Sequence, residues 1–204
     1  KELPIENNRL SIAVCENGYD FFMLKGVIEN LLLRTSLRYK LVRSTEPYLH
    51  SGVSADIIAE DGTKVGWFGK IHKTVLKNYD INQDVYYAEL DTDYLSKLPE
   101  KKYETKEISK FPVVERDLAI VVDEKVCNAD LENAIKSSCG KIFYDVNLFD
   151  VYRSSTLGEN KKSMAYKILF MSEDKTLTGD EINATIKKVL KSLEFRFGAK
   201  LREV

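Results

Sequence analysis

Tyr152 and Asp150 are the side chains with the clearest chemical capability, and they stand two residues apart in a strand-like segment. An aromatic ring offers a flat face on which another flat group can stack, and a neighbouring carboxylate can accept hydrogen bonds from the edge of that group. Small residues on adjacent strands, Ala119, Ser163 and Ala165, would leave room for it. This combination suits recognition of an unpaired nucleobase, because splayed bases expose both a face and an edge.

Basic residues that could meet phosphate groups surround these positions. They are Arg116, Arg153, Lys161, Lys162 and Arg202 at the rim of the predicted sheet, and Lys167 on its surface. A structural alternative stays open, in which Tyr152 caps the sheet and the lysines form a solvated edge. On fold and composition alone this alternative is the more common outcome, because the fold predicted below serves many functions.

The sequence does not indicate a catalytic site of a common kind. His50 and His72 are the only histidines, which excludes an all-histidine zinc site and also a Ser-His-Asp set in the second half of the chain. Loop or structural roles are the better interpretation for both, and no metal site is predicted. Gly66 and Gly69 do not open a helix after a strand, so hairpin glycines are favoured over a phosphate-binding loop.

Composition indicates a globular protein of 204 residues, 44% of them hydrophobic and 31% charged, with a formal net charge of −1. This charge creates no overall field that would attract nucleic acid or membrane, so any such partner must be met locally. Cys15, Cys127 and Cys139 are odd in number and lack CxxC spacing, which predicts a reducing, cytoplasmic location. No apolar run reaches the length of a membrane span, and no signal peptide is recognisable. The first residue is Lys1 rather than Met, so we expect the chain to be cut from a longer protein.

The first half is predicted to be a mixed α and β module over residues 1–95, followed by a charged linker over residues 96–110. Asp20 is a plausible N-cap for a helix whose apolar face has helical spacing. That face is formed by Leu24, Val27, Ile28 and Leu31. Alternation over residues 55–59 and 65–68, with Asp61 and Gly62 between them, predicts a hairpin.

The second half, residues 111–204, has the order strand, helix, strand, strand, helix, strand. Strands are predicted over residues 117–122, 146–152, 162–171 and 199–202. One helix covers residues 128–138, with Asn128 as its N-cap and Gly140 just beyond it, and the other opens with a capping box at residues 178–181. This order predicts an α+β, ferredoxin-like domain, in which an antiparallel sheet carries both helices on one face and leaves the other open.

Strand alternation assigns each side chain of this sheet to one face. The bulky sets should cover the helices, and they are Leu118, Ile120 and Val122; Phe149 and Val151; and Met164, Tyr166, Ile168 and Phe170. The opposite face then carries Ala119, Asp150, Tyr152, Ser163, Ala165 and Lys167. The candidate binding residues are therefore expected to meet on a surface that no helix covers.

Five blocks of the second half occur in the order typical of a known RNA-binding domain. They are KFPVVERDLAIVV at 110–122, LFDVY at 148–152, KKSMAY at 161–166, KTLT at 175–178 and FGAKLR at 197–202. With these blocks the second half resembles the ferredoxin-fold anticodon-binding domain, which closes the β subunit of bacterial phenylalanine–tRNA ligase.

The first half resembles the preceding module of the same subunits. DFFMLKGVIE at 20–29, LHSGVSA at 49–55, GWFGKIH at 66–72 and AELD at 88–91 are similar to the family's DFFxxKGxxE, LHPGRSA, GxxGxxHP and FELD motifs. The chain departs from the family's pattern at Ser51, Val53, Lys73 and Glu115. In that family the module is a copy of the class II synthetase catalytic fold that no longer catalyses.

The resemblance implies a function in binding rather than in chemistry. This chain would hold the anticodon stem-loop of a phenylalanine-accepting tRNA, chiefly through Ala119, Asp150, Tyr152 and Ser163. Residues 1–95 would support association with the catalytic α subunit in an (αβ)2 assembly. The whole ligase would use ATP and Mg²⁺, but this chain would carry no catalytic residue or cofactor, and no membrane or DNA partner is expected. The alternatives are a ferredoxin-like small-molecule regulatory module and a purely structural assembly domain.

Overall fold

The computed structural model describes residues 4, 6–103 and 109–202. The chain divides into two compact units, Lys1–Thr105 and Lys106–Val204. The predicted linker over residues 96–110 falls at this division, and its residues 104–108 lie outside the described part of the chain. Its first residues pack on the first unit, because the hydroxyl of Ser36 donates a hydrogen bond to the carbonyl oxygen of Pro99 at 2.7 Å. No helix in the described ranges is long and apolar enough to cross a membrane.

The first unit is built on a five-stranded antiparallel sheet. Its elements are β1 (Arg9–Val14), α1 (Phe21–Leu33), β2 (Tyr39–Arg43), β3 (Leu49–Ala59), β4 (Lys64–Ile71), α2 (Lys73–Asn78), β5 (Tyr86–Asp91) and α3 (Thr92–Ser96). The strands lie in the order β1-β5-β4-β3-β2, and the predicted hairpin is the pair β3 and β4. Helix α1 packs on one face of this sheet around the buried ring of Phe68.

Helix α1 begins where the sequence predicts, because the carboxylate of Asp20 accepts a hydrogen bond from the backbone N–H of Met23 at 2.9 Å. Its buried residues are Leu24, Ile28 and Leu32. The expectation that Val27 belongs to this face is wrong, since its side chain is exposed. At about 100° per residue, Val27 lies roughly a quarter turn from the centre of the buried face.

The second unit has the predicted ferredoxin-like order. Its elements are β6 (Val114–Asp123), α4 (Asn128–Cys139), β7 (Phe143–Tyr152), β8 (Lys161–Phe170), α5 (Gly179–Phe197) and β9 (Lys200–Leu201). The strands form one antiparallel sheet in the order β7-β8-β6-β9. The fold is therefore α+β, as the sequence predicts.

One face of this sheet packs against α4 and α5 and forms the core. The strands contribute the predicted sets, Leu118, Ile120 and Val122 from β6 and Met164, Tyr166, Ile168 and Phe170 from β8, all of them buried. The helices contribute Leu131 and Ile135 from α4 and Ile182, Val189 and Leu193 from α5. Burial of these side chains fixes which face of each strand points away from the helices.

The predicted N-cap role of Asn128 is wrong, because the cap position of α4 is Cys127 and Asn128 is the first helical residue. The Asn128 side chain is committed to other partners. Its amide donates to a carboxylate oxygen of Glu132, and its oxygen accepts from the hydroxyl of the buried Tyr166, each at 2.8 Å. The other end of α4 is as predicted, because Gly140 follows it with a φ of 60°, a conformation that favours glycine.

Helix α5 begins with the predicted capping box. The hydroxyl oxygen of Thr178 accepts the backbone N–H of Glu181 at 3.4 Å, and the Glu181 carboxylate accepts the backbone N–H of Thr178 at 3.0 Å. The ammonium group of Lys175 also donates to this carboxylate. The Lys175 contact, followed by the two from Thr178, lowers the pKa of Glu181 to about 2.

The low pKa of Glu181 predicts a stability change that depends on pH. A carboxylate whose pKa falls on folding stabilises the fold above its unfolded pKa of about 4.3, and this contribution is lost as the pH falls towards 2. We expect Glu181→Gln to lower the melting temperature clearly at pH 6 and much less near pH 2, where the carboxyl group is being protonated in the folded chain. Glu194→Gln on the same helix is the control. An equal deficit of Glu181→Gln at both pH values would contradict the assignment.

Candidate nucleic-acid interface

The predicted contact residues lie together on the sheet face of the second unit that points away from the helices. In an antiparallel sheet, residues directly opposite each other point to the same side. Ala119 of β6 is opposite Ala165 of β8, which is opposite Asp150 of β7. In the adjacent row Ser163 is opposite Tyr152. We call this surface the open face, and it consists of Ala119, Asp150, Tyr152, Ser163, Ala165 and Lys167.

Tyr152 stands at the edge of the open face, and 43% of its surface is exposed. Asp150 beside it is also exposed, while Ala119 and Ala165 form a half-buried floor between the outer strands. A flat ligand resting on this floor would have the phenol ring at one side and a hydrogen-bond-accepting carboxylate within the same strand. The geometry is suited to holding a planar ring that has polar edges.

Ser163 has the predicted orientation, but only 1% of its surface is accessible. The side chain of Arg202 lies against it, with Nη1 3.5 Å from the serine oxygen. The guanidinium carbon of Arg202 is 5.0 Å from the centre of the Tyr152 ring, which is a cation–π contact. The serine is therefore closed to a ligand while Arg202 keeps this position.

A β-bulge in β7 changes the expected face of Phe149. The register shifts between Leu148 and Asp150, which leaves Phe149 without a direct partner in the ladder. Phe149 does not cover the helices as predicted, and 56% of its surface is exposed. Val151 pairs with the helix-facing Met164, yet its side chain is also exposed at the end of the strand. Phe149 is thus a second accessible aromatic ring beside Asp150, which alternation alone does not reveal.

Lys162 does not lie at the rim, so the expectation that it meets phosphate is wrong. Lys162 is opposite the buried Val122 in the ladder, and only 8% of its surface is accessible. The ammonium group donates to the carbonyl oxygens of Glu124 and Val126, each at 2.8 Å. These bonds tie the turn after β6 to β8, so the role of Lys162 is structural.

Three of the other predicted phosphate contacts are engaged in exposed ion pairs. The pairs are Lys161 with Asp123 at 2.7 Å, Arg153 with Glu124 at 2.7 Å and Lys167 with Glu115 at 3.4 Å. Lys161 lowers the pKa of Asp123, and Arg153 lowers the pKa of Glu124. Exposed pairs contribute little stability, so a phosphate group could replace the carboxylate in each. Arg116 is exposed and donates to the carbonyl oxygen of Glu115 at 2.9 Å, but it is opposite the helix-facing Ile168, so its register places it on the helical side and not beside the open face as expected.

The remaining candidate groups have structural roles in the first unit. Nδ1 of His50 accepts the backbone N–H of Gly52 at 3.1 Å, and Nδ1 of His72 caps α2 by accepting the N–H of Thr74 at 3.3 Å. Gly69 lies inside β4, where an added Cβ would stand 2.7 Å from the carbonyl oxygen of Val53. The described residues contain no cluster of three or more side chains suited to a metal ion.

The position of Lys162 predicts a loss of stability when its ammonium group is removed. Lys162→Ala leaves two carbonyl oxygens without their donor, so we expect the free energy of unfolding to fall by about 2 kcal/mol. Lys161→Ala removes only an exposed ion pair and should cost less than about 1 kcal/mol. Urea denaturation measures both. Equal stabilities of the two variants would show that the buried bonds do not hold the turn.

Two family models match successive parts of the chain. Residues 1–92 match the phenylalanyl tRNA synthetase beta chain CLM domain, and residues 109–202 match the ferredoxin-fold anticodon binding domain. The solved structure of Arabidopsis thaliana MSL1 aligns over 90% of this chain and 58% of its own, but a TM-score of 0.31 at 9% identity supports no common fold.

Curated relatives align with this sequence over nearly the full chain. The phenylalanine–tRNA ligase beta subunit of Clostridium tetani is 40% identical over 99% of this chain and 26% of its own length. The same subunit of Clostridium acetobutylicum is 37% identical over 98% of this chain and 25% of its own length. The chain thus spans about a quarter of the length of these relatives. On both comparisons it belongs to the family of phenylalanine–tRNA ligase β subunits, and within that family it combines the CLM domain with the ferredoxin-fold anticodon-binding domain.

Proposed function

We propose that the open face binds the anticodon stem-loop of a phenylalanine-accepting tRNA, within a ligase that joins phenylalanine to that tRNA with ATP and Mg²⁺. The observation that carries this proposal is the exposed ring of Tyr152 beside Asp150 and a floor of two alanines. Anticodon bases in a loop are unpaired, so their faces and edges are available to such a surface. The comparisons favour this function over a small-molecule regulatory module.

Charge on the sheet supports contacts to bases more than contacts to phosphates. Carboxylates from β6 and β7 project on the same side as the open face. They are Glu115, Asp117, Asp123, Asp145 and Asp150, identified by their register. A surface with this many carboxylates repels a phosphate backbone unless its cations exchange partners. Stacking and edge contacts carry the proposed binding, and Ala119, Asp150, Tyr152 and Ser163 supply them.

The rim cations take the supporting role in this proposal. Arg153, Lys161, Lys167 and Arg202 would meet phosphates on either side of the bound loop, whereas Lys162 holds the fold. Contacts of this kind fix the register of the RNA without reading its sequence. Binding energy gained at the anticodon then orients the distant acceptor end, so the proposed contribution of this chain to the reaction is positional.

The first unit is proposed to support association with the catalytic α subunit in a cytoplasmic (αβ)2 assembly. Helix α1 supports this proposal, because its outer side exposes large apolar side chains. They are Phe22, Met23, Val27 and Leu33. Exposed apolar groups concentrated on one helix are typical of a surface that another protein covers.

Substitution of Tyr152 tests the proposed interface. Stacking of a base on an aromatic ring contributes about 1–3 kcal/mol, so Tyr152→Ala should weaken binding of a hairpin with the phenylalanine anticodon by about tenfold or more. Tyr152→Phe keeps the ring and should bind within about threefold of the original chain. Fluorescence anisotropy with labelled hairpin measures each affinity.

Phe195 provides the matched control, because 92% of its surface is exposed on α5, which packs on the other side of the sheet. Phe195→Ala should leave hairpin affinity unchanged. If Phe195→Ala weakened binding and Tyr152→Ala did not, the RNA would lie on the helical side and the proposal would fail. Calorimetry with free phenylalanine should show no heat of binding to this chain, in contrast to a regulatory module.

A further inference from the structure

Arg202 spans the open face from one edge of the sheet towards the other. Its backbone N–H donates to the carbonyl oxygen of Ala119 at 3.0 Å, which fixes the residue beside β6. From there the side chain passes over β8 and brings its guanidinium 5.0 Å from the centre of the Tyr152 ring. Nη1 stands 3.5 Å from the oxygen of Ser163 on the way.

This position engages two of the four residues proposed to contact RNA bases. A planar guanidinium over an aromatic ring uses the face on which a base would stack. Ser163 has 1% of its surface exposed, so its hydroxyl has no free access either. An unpaired base can reach these two side chains only if Arg202 moves.

The contacts that hold Arg202 are weaker than those that would replace them. No ion pair among the described residues includes Arg202, in contrast to Lys161 and Lys167 on the same face. A cation–π contact at an exposed site contributes less than stacking of a base on the same ring. The displaced guanidinium would gain a charge-assisted hydrogen bond with phosphate, which its fork geometry suits.

We propose that Arg202 exchanges places with a nucleobase. In the free protein the guanidinium covers Tyr152 and Ser163. On binding, a base stacks on Tyr152, Ser163 becomes accessible, and Arg202 turns to the phosphate that adjoins this base. The proposal rests on the proposed function and deepens it, because it makes Arg202 both the cover of the stacking site and a phosphate contact.

The exchange predicts that the hairpin affinities of the original chain and of Arg202→Gln, plotted against salt concentration, cross. Affinity of the 204-residue chain for the anticodon hairpin is measured from about 0.05 to 1 M salt, with Arg202→Gln alongside. Loss of one phosphate contact should make the logarithmic salt slope of Arg202→Gln less steep by about 0.7, so it binds more weakly at low salt. At 1 M salt, where phosphate contacts contribute little, Arg202→Gln should bind about twofold to fivefold more tightly, because nothing covers the ring.

Arg202→Lys separates charge from planarity. Lysine still neutralises a phosphate, so the salt slope of Arg202→Lys should match that of the original chain. Because lysine covers an aromatic ring less well than arginine, Arg202→Lys should bind the hairpin more tightly at every salt concentration. The NMR signal of Arg202 Nε–Hε reports the exchange directly. Its ring-current shift should be present in the free chain, absent in Tyr152→Ala, and lost when RNA saturates the original chain.

Parallel salt dependences of the original chain and Arg202→Gln, with an Nε–Hε signal that RNA does not move, would overturn the exchange. If the hairpin still bound and Tyr152→Ala still weakened it, the proposed function would stand without the exchange. If the hairpin did not bind the original chain, both would fail. Thermal unfolding of each variant shows that the fold is retained, which is expected because Arg202 lies on the surface of the sheet.

Discussion

The ten-residue ladder between β6 and β8 determines the rest of the second unit. It runs without a register shift from Val114 opposite Phe170 to Asp123 opposite Lys161. Alternate pairs of this ladder are buried under the two helices, so the pairs between them must point away from the helices. A shift by one residue would bury charged side chains and expose the core, and this constraint sets which side chains a ligand can meet.

The orientation of the open face follows from that constraint, but its binding properties come from two small side chains, one cation–π contact and several ion pairs. Because Ala119 and Ala165 have short side chains, the middle of the sheet surface is shallow, while the larger side chains of Tyr152 and Arg202 extend over it from opposite edges. Cations and carboxylates neutralise one another along the rim. A surface of this kind discriminates between flat ligands by shape and by their edges, since it offers little net charge to any polyanion.

Much of this arrangement could be predicted from the sequence, because alternation, caps and turn glycines are local signals. The burial of Lys162 could also have been predicted, since this residue stands two positions before Met164 in the same strand and therefore points to the same, helix-facing side. The bulge at Phe149 and the side-chain partners of Asn128 depend on contacts with other elements, which local patterns do not contain. No sequence signal indicates that Arg202 reaches Tyr152, because that contact joins the two edges of the sheet.

RNA is proposed to meet the sheet face of the second unit and not its helical face. Methyl NMR of the chain labelled at alanine tests it directly, because Ala119 and Ala165 lie on the open face and Ala184 is exposed on α5. Titration with the phenylalanine anticodon hairpin should shift or broaden the Ala119 and Ala165 signals and leave Ala184 unchanged. A response of Ala184 with Ala119 and Ala165 unmoved would contradict the account.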